Sequence, residues 1–498
     1  MKRNILFLFL AVITTLTSCS DWLDVQPLNQ QREKDIYTTY KGYQDALTGC
    51  YSIMAGRSLY GDNLTMSSIE NLACLWEQPQ LDNLPTQYYL NRHDYTNDYT
   101  KSLIQTIYGG LYNVIVQANA IINNLNTDPS SIQSESGYNI VKGEALAIRA
   151  YCHFDVLRLF GQMPKNPVRQ VSLPYSETNS IKELPPYYGY NDFVKKVLTD
   201  LDEAERLLKL SDPCVENGLD DSTNQDNFLS YRQLRLNFWA VKALKARVYL
   251  YTGDTAKAYQ EAKAIIDAKD NSGEPVISLS GVEDISKKYY ALPSECLFSL
   301  NNANLLDYSI SLLGGNPNAS FSELSQLHIT TTMLNQQLYQ NQNTTSDNRY
   351  MNIWEQNTRN TLGNVYPTIK KYYYDPEEFT ILSILRTRLQ ILPLIRLSEI
   401  YLIAMETTND LTEANELYKT YMVSHNVNIT TSYESLDMFR SQLESEYRRE
   451  FYAEGVMFYV YKRLGRTSIL WNTSEMGEDQ YILPLPESEY DPNLTQQK

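Results

Sequence analysis

Between Leu103 and Leu125 apolar side chains recur every three or four residues: Leu103, Ile107, Leu111, Val114, Ala118, Ile121 and Leu125. That spacing draws one apolar stripe along a long helix, and such a helix must bury its stripe against a neighbour. Gly143 to Phe160 repeats the pattern with Ala147, Ala150, Phe154, Leu157 and Phe160, and ends at the stop signals Gly161 and Pro164. Phe193 to Leu210 predicts a third helix. Phe238 to Lys269 reads as two antiparallel helices joined at Thr252-Gly253-Asp254. Its Ala246, Tyr249, Gly253, Ala258 and Ala262 sit at tetratricopeptide-repeat offsets, where small residues let paired helices approach closely.

A second pair is predicted over Pro393 to Val423. Pro393 suits a first helical turn, and Asn409-Asp410 marks the connection. Asp410 and Glu413 stand as N-cap and third-position acid, and Ala414, Leu417, Tyr418 and Tyr421 form the inner face. The fold expected is therefore mainly α, a tetratricopeptide-like helical-repeat scaffold with few short strands. Long irregular insertions fall at about 56–100, 162–190, 211–230 and 270–390. The last far exceeds ordinary connections, and its Trp354, Tyr308, Tyr350 and Phe321 predict an ordered excursion with strands near Leu297–Leu300 and Thr368–Tyr374.

The N-terminus carries an address. Lys2-Arg3 precedes the apolar run Ile5 to Leu16 and the ending Leu16-Thr17-Ser18-Cys19, the layout of a secretory signal cut before a cysteine. The run is too short to span a bilayer, which takes about 20 residues. Residues 1–18 are expected to be the signal and 19–498 one domain, with Cys19 as the acylated first residue. No later stretch is long and apolar enough to span: Ile381 to Ala404 contains Arg386, Arg388, Arg396 and Glu399.

Net charge is −16, and loss of Lys2 and Arg3 takes it to −18. Such a surface repels polyanions, which argues against nucleic acid and highly acidic glycans as partners. Cys50, Cys74, Cys152, Cys214 and Cys296 are an odd, widely spaced remainder without a CxxC, so neither a disulfide framework nor a zinc site is indicated. The 40 tyrosines against 13 phenylalanines suit half-buried helix contacts and wet binding surfaces alike.

Four segments resemble the SusD/RagB family of surface lipoproteins. They are Cys19 to Pro27; Gly143 to Gly161, similar to a GEA-x-x-x-RA helix; Arg396 to Leu402, similar to LRLAE-x-YL; and Tyr481 to Glu489. Glu446 to Gly465 resembles a fifth block, ER-x-x-E-x-x-x-EG-x-R-x-x-D-x-x-R-x-G. It keeps Glu450, Glu454, Gly455, Arg463 and Gly465 but has Tyr447, Met457, Val460 and Leu464 where that block's pattern differs. The block is expected to be a structural ion-pair network. The resemblance implies nutrient capture beside a TonB-dependent outer-membrane transporter, a lipid anchor facing the cell exterior, and no catalysis.

No enzymatic motif stands against that. His93, His153, His328 and His425 are far apart, and neither a GxSxG elbow nor a phosphate-binding loop occurs. No cofactor is implied. Asp220 to Asp226 alternates oxygen donors but lacks the glycine and the acidic twelfth position of a calcium loop. A ring that presents C–H faces, sugar or peptide side chain, stacks on aromatic residues while amides and charges bond its edge. Two loops offer that mixture: Trp76, Asp82, Asn83, Tyr88 and Tyr89, then Arg349, Tyr350, Asn352 and Trp354. The ligand-binding residues expected are Trp76, Asn83, Tyr88, Tyr89, Arg349, Tyr350 and Trp354, so that Trp76→Ala and Trp354→Ala should weaken binding without unfolding the body. The alternative is that both tryptophans anchor their loops to the core. Oligosaccharide is favoured over peptide as ligand, and a surface hydrolase or a protein-binding scaffold are the rival functions.

Overall fold

The computed structural model describes residues 36–180, 183–219, 226–314, 316, 322 and 325–490. Cys19 with its signal, the oxygen-rich Asp220–Gln225 and Phe321 lie outside them. The architecture is the helical-repeat scaffold the periodicity implies. After α1 (Tyr40–Met54) and the short α2 (Ser68–Leu72) and α3 (Pro85–Asn91) come the long α4 (Asp98–Thr127) and α5 (Glu135–Phe160). Two short paired strands, β1 (Leu173–Pro174) and β2 (Tyr187–Tyr188), lead into α6 (Tyr190–Ser211). Helix α5 packs between α4 and α6. The first predicted pair is α7 (Phe238–Thr252) and α8 (Thr255–Ile266), turned at Gly253, whose φ of +89° a side chain would resist.

The second pair differs from its prediction at the start. Residues Ile391–Arg396 form strand β6, antiparallel to β3 (Cys296–Asn301) with Pro393 opposite Ser299. Proline disfavours helix in the residue before it, the run is apolar and β-branched, and a strand paired on one edge tolerates proline. The helices are α9 (Leu305–Leu313) in the excursion, then α10 (Leu397–Thr407) and α11 (Leu411–Ser424). Asp410 caps α11 by accepting from the amides of Thr412 and Glu413 at 2.8 and 3.3 Å. Glu413 does not complete a capping box. Its carboxylate accepts from Tyr259 of α8 and Thr408, tying the two helix pairs together. The excursion also carries the hairpin β4 (Trp354–Arg359) and β5 (Val365–Ile369), so the second predicted strand forms mostly upstream of its expected place. Helices α12 (Leu436–Glu450) and α13 (Met457–Leu464) follow, and buried apolar residues from Tyr43 to Leu483 join one continuous core. The five cysteines from Cys50 to Cys296 are free and buried.

Motif residues hold this core from within. A Cβ on Gly143 would lie 2.8 Å from Leu208 Cγ, so glycine is what lets α5 close on α6. Glu144 is buried and accepts from Arg232 Nη1 at 2.6 Å and Tyr51 Oη at 2.8 Å. Arg149 clamps Asp200 with two donors at 2.7 and 2.6 Å. Arg247 of α7 does the same to Glu399 of α10, both at 2.6–2.7 Å.

The Glu446–Gly465 block is an ion-pair network, although its main partners come from distant segments rather than from helical neighbours. Glu450 takes Arg396 Nη1 at 2.6 Å, Arg349 Nη1 at 3.1 Å and Tyr421 Oη at 2.8 Å. Glu454 takes Arg396 and Lys371, and Arg463 forks onto Glu406. Burial pushes the Glu450 carboxyl up, but His425, Arg396 and Arg349 outweigh it and hold it well below the usual carboxylate range.

Glu70 of α2 shows the opposite balance. It is fully buried and accepts from Gly455 N at 2.7 Å, while its second oxygen has no hydrogen-bond partner among the described residues. Burial pushes its carboxyl from 4.5 up to about 8. The native state therefore keeps a proton that the unfolded chain releases above 4.5, and stability falls as pH rises through that window, by up to about 1.4 kcal/mol per pH unit. Urea denaturation at pH 5 and pH 8 should show this loss in the native protein and not in Glu70→Gln. Equal pH dependence in the two would refute it.

Candidate ligand-binding cleft

A cleft of about 540 Å3 opens where α1, the 227–235 segment and the start of the excursion meet. Two half-buried tyrosines, Tyr231 and Tyr308, line it beside Asn227, Ser230 and Asn304. Tyr231 is held with a left-handed backbone, φ +53°, which a bulky residue adopts only where its surroundings impose it. The imposing contact is the next residue. Arg232 is fully buried between Asp212, at 2.9 and 2.8 Å, and Glu144.

On the other wall Asn302 donates to the Ala55 carbonyl at 2.8 Å and accepts from Asn304 N at 2.9 Å, fixing the entry to α9. Asn301 donates to the carbonyls of Arg386 and Gln390. These two amides are occupied by the fold. Those of Asn227 and Asn304 are exposed and hold no hydrogen bond among the described residues. The Arg57 guanidinium lies 4.9 Å from the centre of the Tyr308 ring and is neutralised by Asp62 at 3.1 and 2.8 Å. Arg235 lies 3.7 Å from the Phe228 ring centre and 3.6 Å from Glu144. Each cation is balanced, so the cleft offers aromatic faces, hydroxyls and amides with little net field. That chemistry fits an uncharged, hydroxylated ring.

The residues expected from sequence fall in three places. Trp76 is 2 % exposed, its indole donates to the Met66 carbonyl at 3.0 Å, and its ring stands edge-on to Tyr452 at 5.1 Å. Trp354 is 3 % exposed and meets the same Tyr452 at 5.0 Å. Both anchor their loops, and truncating either ring would open the core rather than remove a platform. Arg349 is buried in the ion-pair network with Asp347, Glu446 and Glu450. Tyr350 is 7 % exposed and donates to Asn335 at 2.8 Å; with Trp354 it edges a shallow cleft of about 620 Å3 containing Gln356 and Asn357.

The first loop keeps its aromatic surface. Asn83 is exposed, and Tyr88 and Tyr89 on α3 are half-buried and edge-to-face at 5.2 Å. Arg92 caps the Tyr88 ring at 3.8 Å, and Tyr89 lies parallel to Tyr99, 14° between planes and 6.3 Å between centres. Tyr231, Asn227, Arg57 and the Asn304–Tyr308 pairing were not foreseen. The run Asn301-Asn302-Ala303-Asn304 four residues ahead of Tyr308 was the available signal.

A family profile described as "Starch-binding associating with outer membrane", SusD-like, matches residues 21–250. The opening half of the chain is thus similar to SusD-like proteins. It is 24 % identical over 266 residues to SusD-like protein P2 of Formosa agariphila, covering 52 % of this chain and 45 % of that one. It is 23 % identical over 309 residues to P25 of the same organism, covering 61 % and 52 %. The match thus spans about half the length of those relatives. Over the whole fold it superposes on a SusD superfamily protein of Bacteroides thetaiotaomicron with a TM-score of 0.68 at 23 % identity, covering 91 % and 98 % of the two chains. A laminarin-binding SusD-like protein superposes with a TM-score of 0.61 at 16 % identity, covering 91 % and 97 %.

Proposed function

We propose that the protein captures a neutral oligosaccharide in the Tyr231–Tyr308 cleft and delivers it, without turnover, to a TonB-dependent transporter of the outer membrane. The observation that carries this reading is the pair of half-buried tyrosines set among free amides and balanced charges. A sugar ring stacks its C–H face on such a tyrosine while its hydroxyls bond Asn227 and Asn304. The family's description as starch-binding and the laminarin-binding relative support the ligand class. Tyr88, Tyr89 and Asn83, joined by Tyr99, form a second aromatic surface on which a longer chain could rest. An acylated Cys19 would hold the body at the outer membrane facing the cell exterior, with the helical-repeat face turned to the transporter.

Native affinity gels carrying neutral and anionic polysaccharides test the reading. Retardation on a neutral glycan, with little on alginate or heparin, is expected. Unretarded migration on every glycan, together with tight peptide binding, would replace it with a peptide-capture function.

A further inference from the structure

Another cleft, of about 760 Å3, shares no residue with that of Tyr231 and Tyr308. One face of α4 forms its wall, the segment from Pro174 to Tyr187 straps it, and Ser488 and Glu489 close its end. Tyr108 and Tyr112 stand one turn apart on α4, with 4.7 Å between ring centres, and Tyr187 of β2 lines the same space. Pro174 and Pro186 add flat apolar surface. Gly109, between the two α4 tyrosines, is exposed, and a Cβ there would meet nothing within 4 Å. Packing therefore does not require this glycine, although glycine inside a helix weakens it. Its missing side chain leaves open room at the foot of the cleft.

Among the described residues no lysine or arginine lines this cleft, whereas Glu183 and Glu489 do. Glu489 accepts from the Tyr187 hydroxyl. Glu183 is exposed, and its carboxylate holds no ion pair among the described residues. Lys101, the one cation of α4, pairs with Glu487, and Lys196 of α6 pairs with Glu177. Tyr112 spends its proton on the Pro174 carbonyl at 2.6 Å, so towards the Tyr108 hydroxyl it can only accept. Tyr108, 6 % exposed, is left with an oxygen that receives no hydrogen bond among the described residues. Burial first, with the Glu489 charge adding to it, pushes the phenols of Tyr108, Tyr112 and Tyr187 above their ordinary range, so all three keep their protons. The cleft is thus rich in acceptors and poor in cations. An ammonium, which only donates, is the complement to that set.

We propose that this cleft is a second ligand site, selective for a cationic amino sugar, whose ring stacks on Tyr112 and Tyr187 while its ammonium groups are held by Glu183 and Glu489. Thr178 and Ser488 line the same space and can bond the ring hydroxyls. The net charge of −16 draws such a ligand in. A lysine-bearing peptide offers the charge but not the flat, hydroxyl-fringed ring that these tyrosines and hydroxyls suit. The Tyr231–Tyr308 cleft, whose cations are balanced, has no such preference, so either site stands without the other.

Isothermal titration at about pH 6, where a sugar amine is protonated, compares chitotriose with its fully N-acetylated form, which has the same rings without the charge. The intact protein should bind the amine form about tenfold more tightly, as suits hydrogen bonds between charged groups. Glu183→Gln should bring that ratio below about threefold. Gly109→Leu fills the foot of the cleft and suits a helix, and it should remove the amine preference with the fold intact. Tyr308→Ala should keep the preference, because that change reaches only the first cleft. Equal affinity for the two trisaccharides would overturn the proposal. So would an amine preference unchanged in folded Gly109→Leu and Glu183→Gln. A lysine-rich peptide that outbinds chitotriose, and is lost in Gly109→Leu, would make the cleft a peptide-docking groove instead.

Discussion

Arg396→Leu is expected to cost about 3–5 kcal/mol of folding stability at pH 7, against a total of about 5–15 kcal/mol for a typical domain. Arg396 is buried, donates to Glu450 at 2.6 Å and to Glu454 at 2.8 and 3.0 Å, and lies 3.6 Å from Glu295. Its loss leaves three carboxylates in the core with too few donors, and desolvation of an unpaired charge is what makes the removal expensive. The penalty should shrink in acid. Glu450 is held well below its ordinary range in the native protein, so its stabilisation is present above the unfolded value and fades as pH falls. In the variant the same carboxyl gains from taking up a proton. Urea midpoints at pH 7 and pH 4.5 would show the native protein and variant converging. A variant as stable as the native protein at pH 7 would remove the network from the account of this fold.

Tyr308→Ala should weaken glycan binding at least about tenfold, or about 1.4 kcal/mol, while changing stability by no more than about 1 kcal/mol, as is usual away from the packed core. The ring is half-buried on α9 with Arg57 4.9 Å from its centre. Tyr308→Phe keeps the stacking face and should retain most of the affinity, whereas Tyr231→Ala should weaken binding and also relax its left-handed backbone, φ +53°. Isothermal titration with the glycan that retards the protein on gels gives the comparison. If Tyr308→Ala and Tyr231→Ala both bind as the native protein does, the ligand sits elsewhere, and the Tyr89–Tyr99 surface becomes the place to look.

The helices were legible because each carries its own signal. The stripe from Leu103 to Leu125 forms one helix, and Gly253 turns one pair where its spacing said it would. Pro393 misled because the same residue that opens helices also sits in strands paired on one edge, and only Cys296–Asn301, nearly a hundred residues upstream, decides between them. The aromatic loops were half legible. Composition named the tryptophans, but whether a ring faces solvent depends on what folds over it, and Tyr452 lies far along the chain from Trp76. The charged block was legible as a structural network, and helical pairs such as Glu446–Arg449 are part of it, but its distant partners were not. Helical neighbours are visible in a sequence, whereas Arg349 and Arg396 reach Glu450 across more than fifty residues.

Tyr452 bridges Trp76 and Trp354, and its hydroxyl donates to the Leu75 carbonyl. Nearby, Gly455 N donates to Glu70, and Lys462 closes the carbonyl end of α5 through Arg158 and Gly161. The early helices are thus finished by residues more than three hundred positions further along the chain. Pairings this remote form slowly, because the intervening chain must first be gathered in. Until those distant segments dock, the interior around Glu70, Leu75 and the end of α5 stays open.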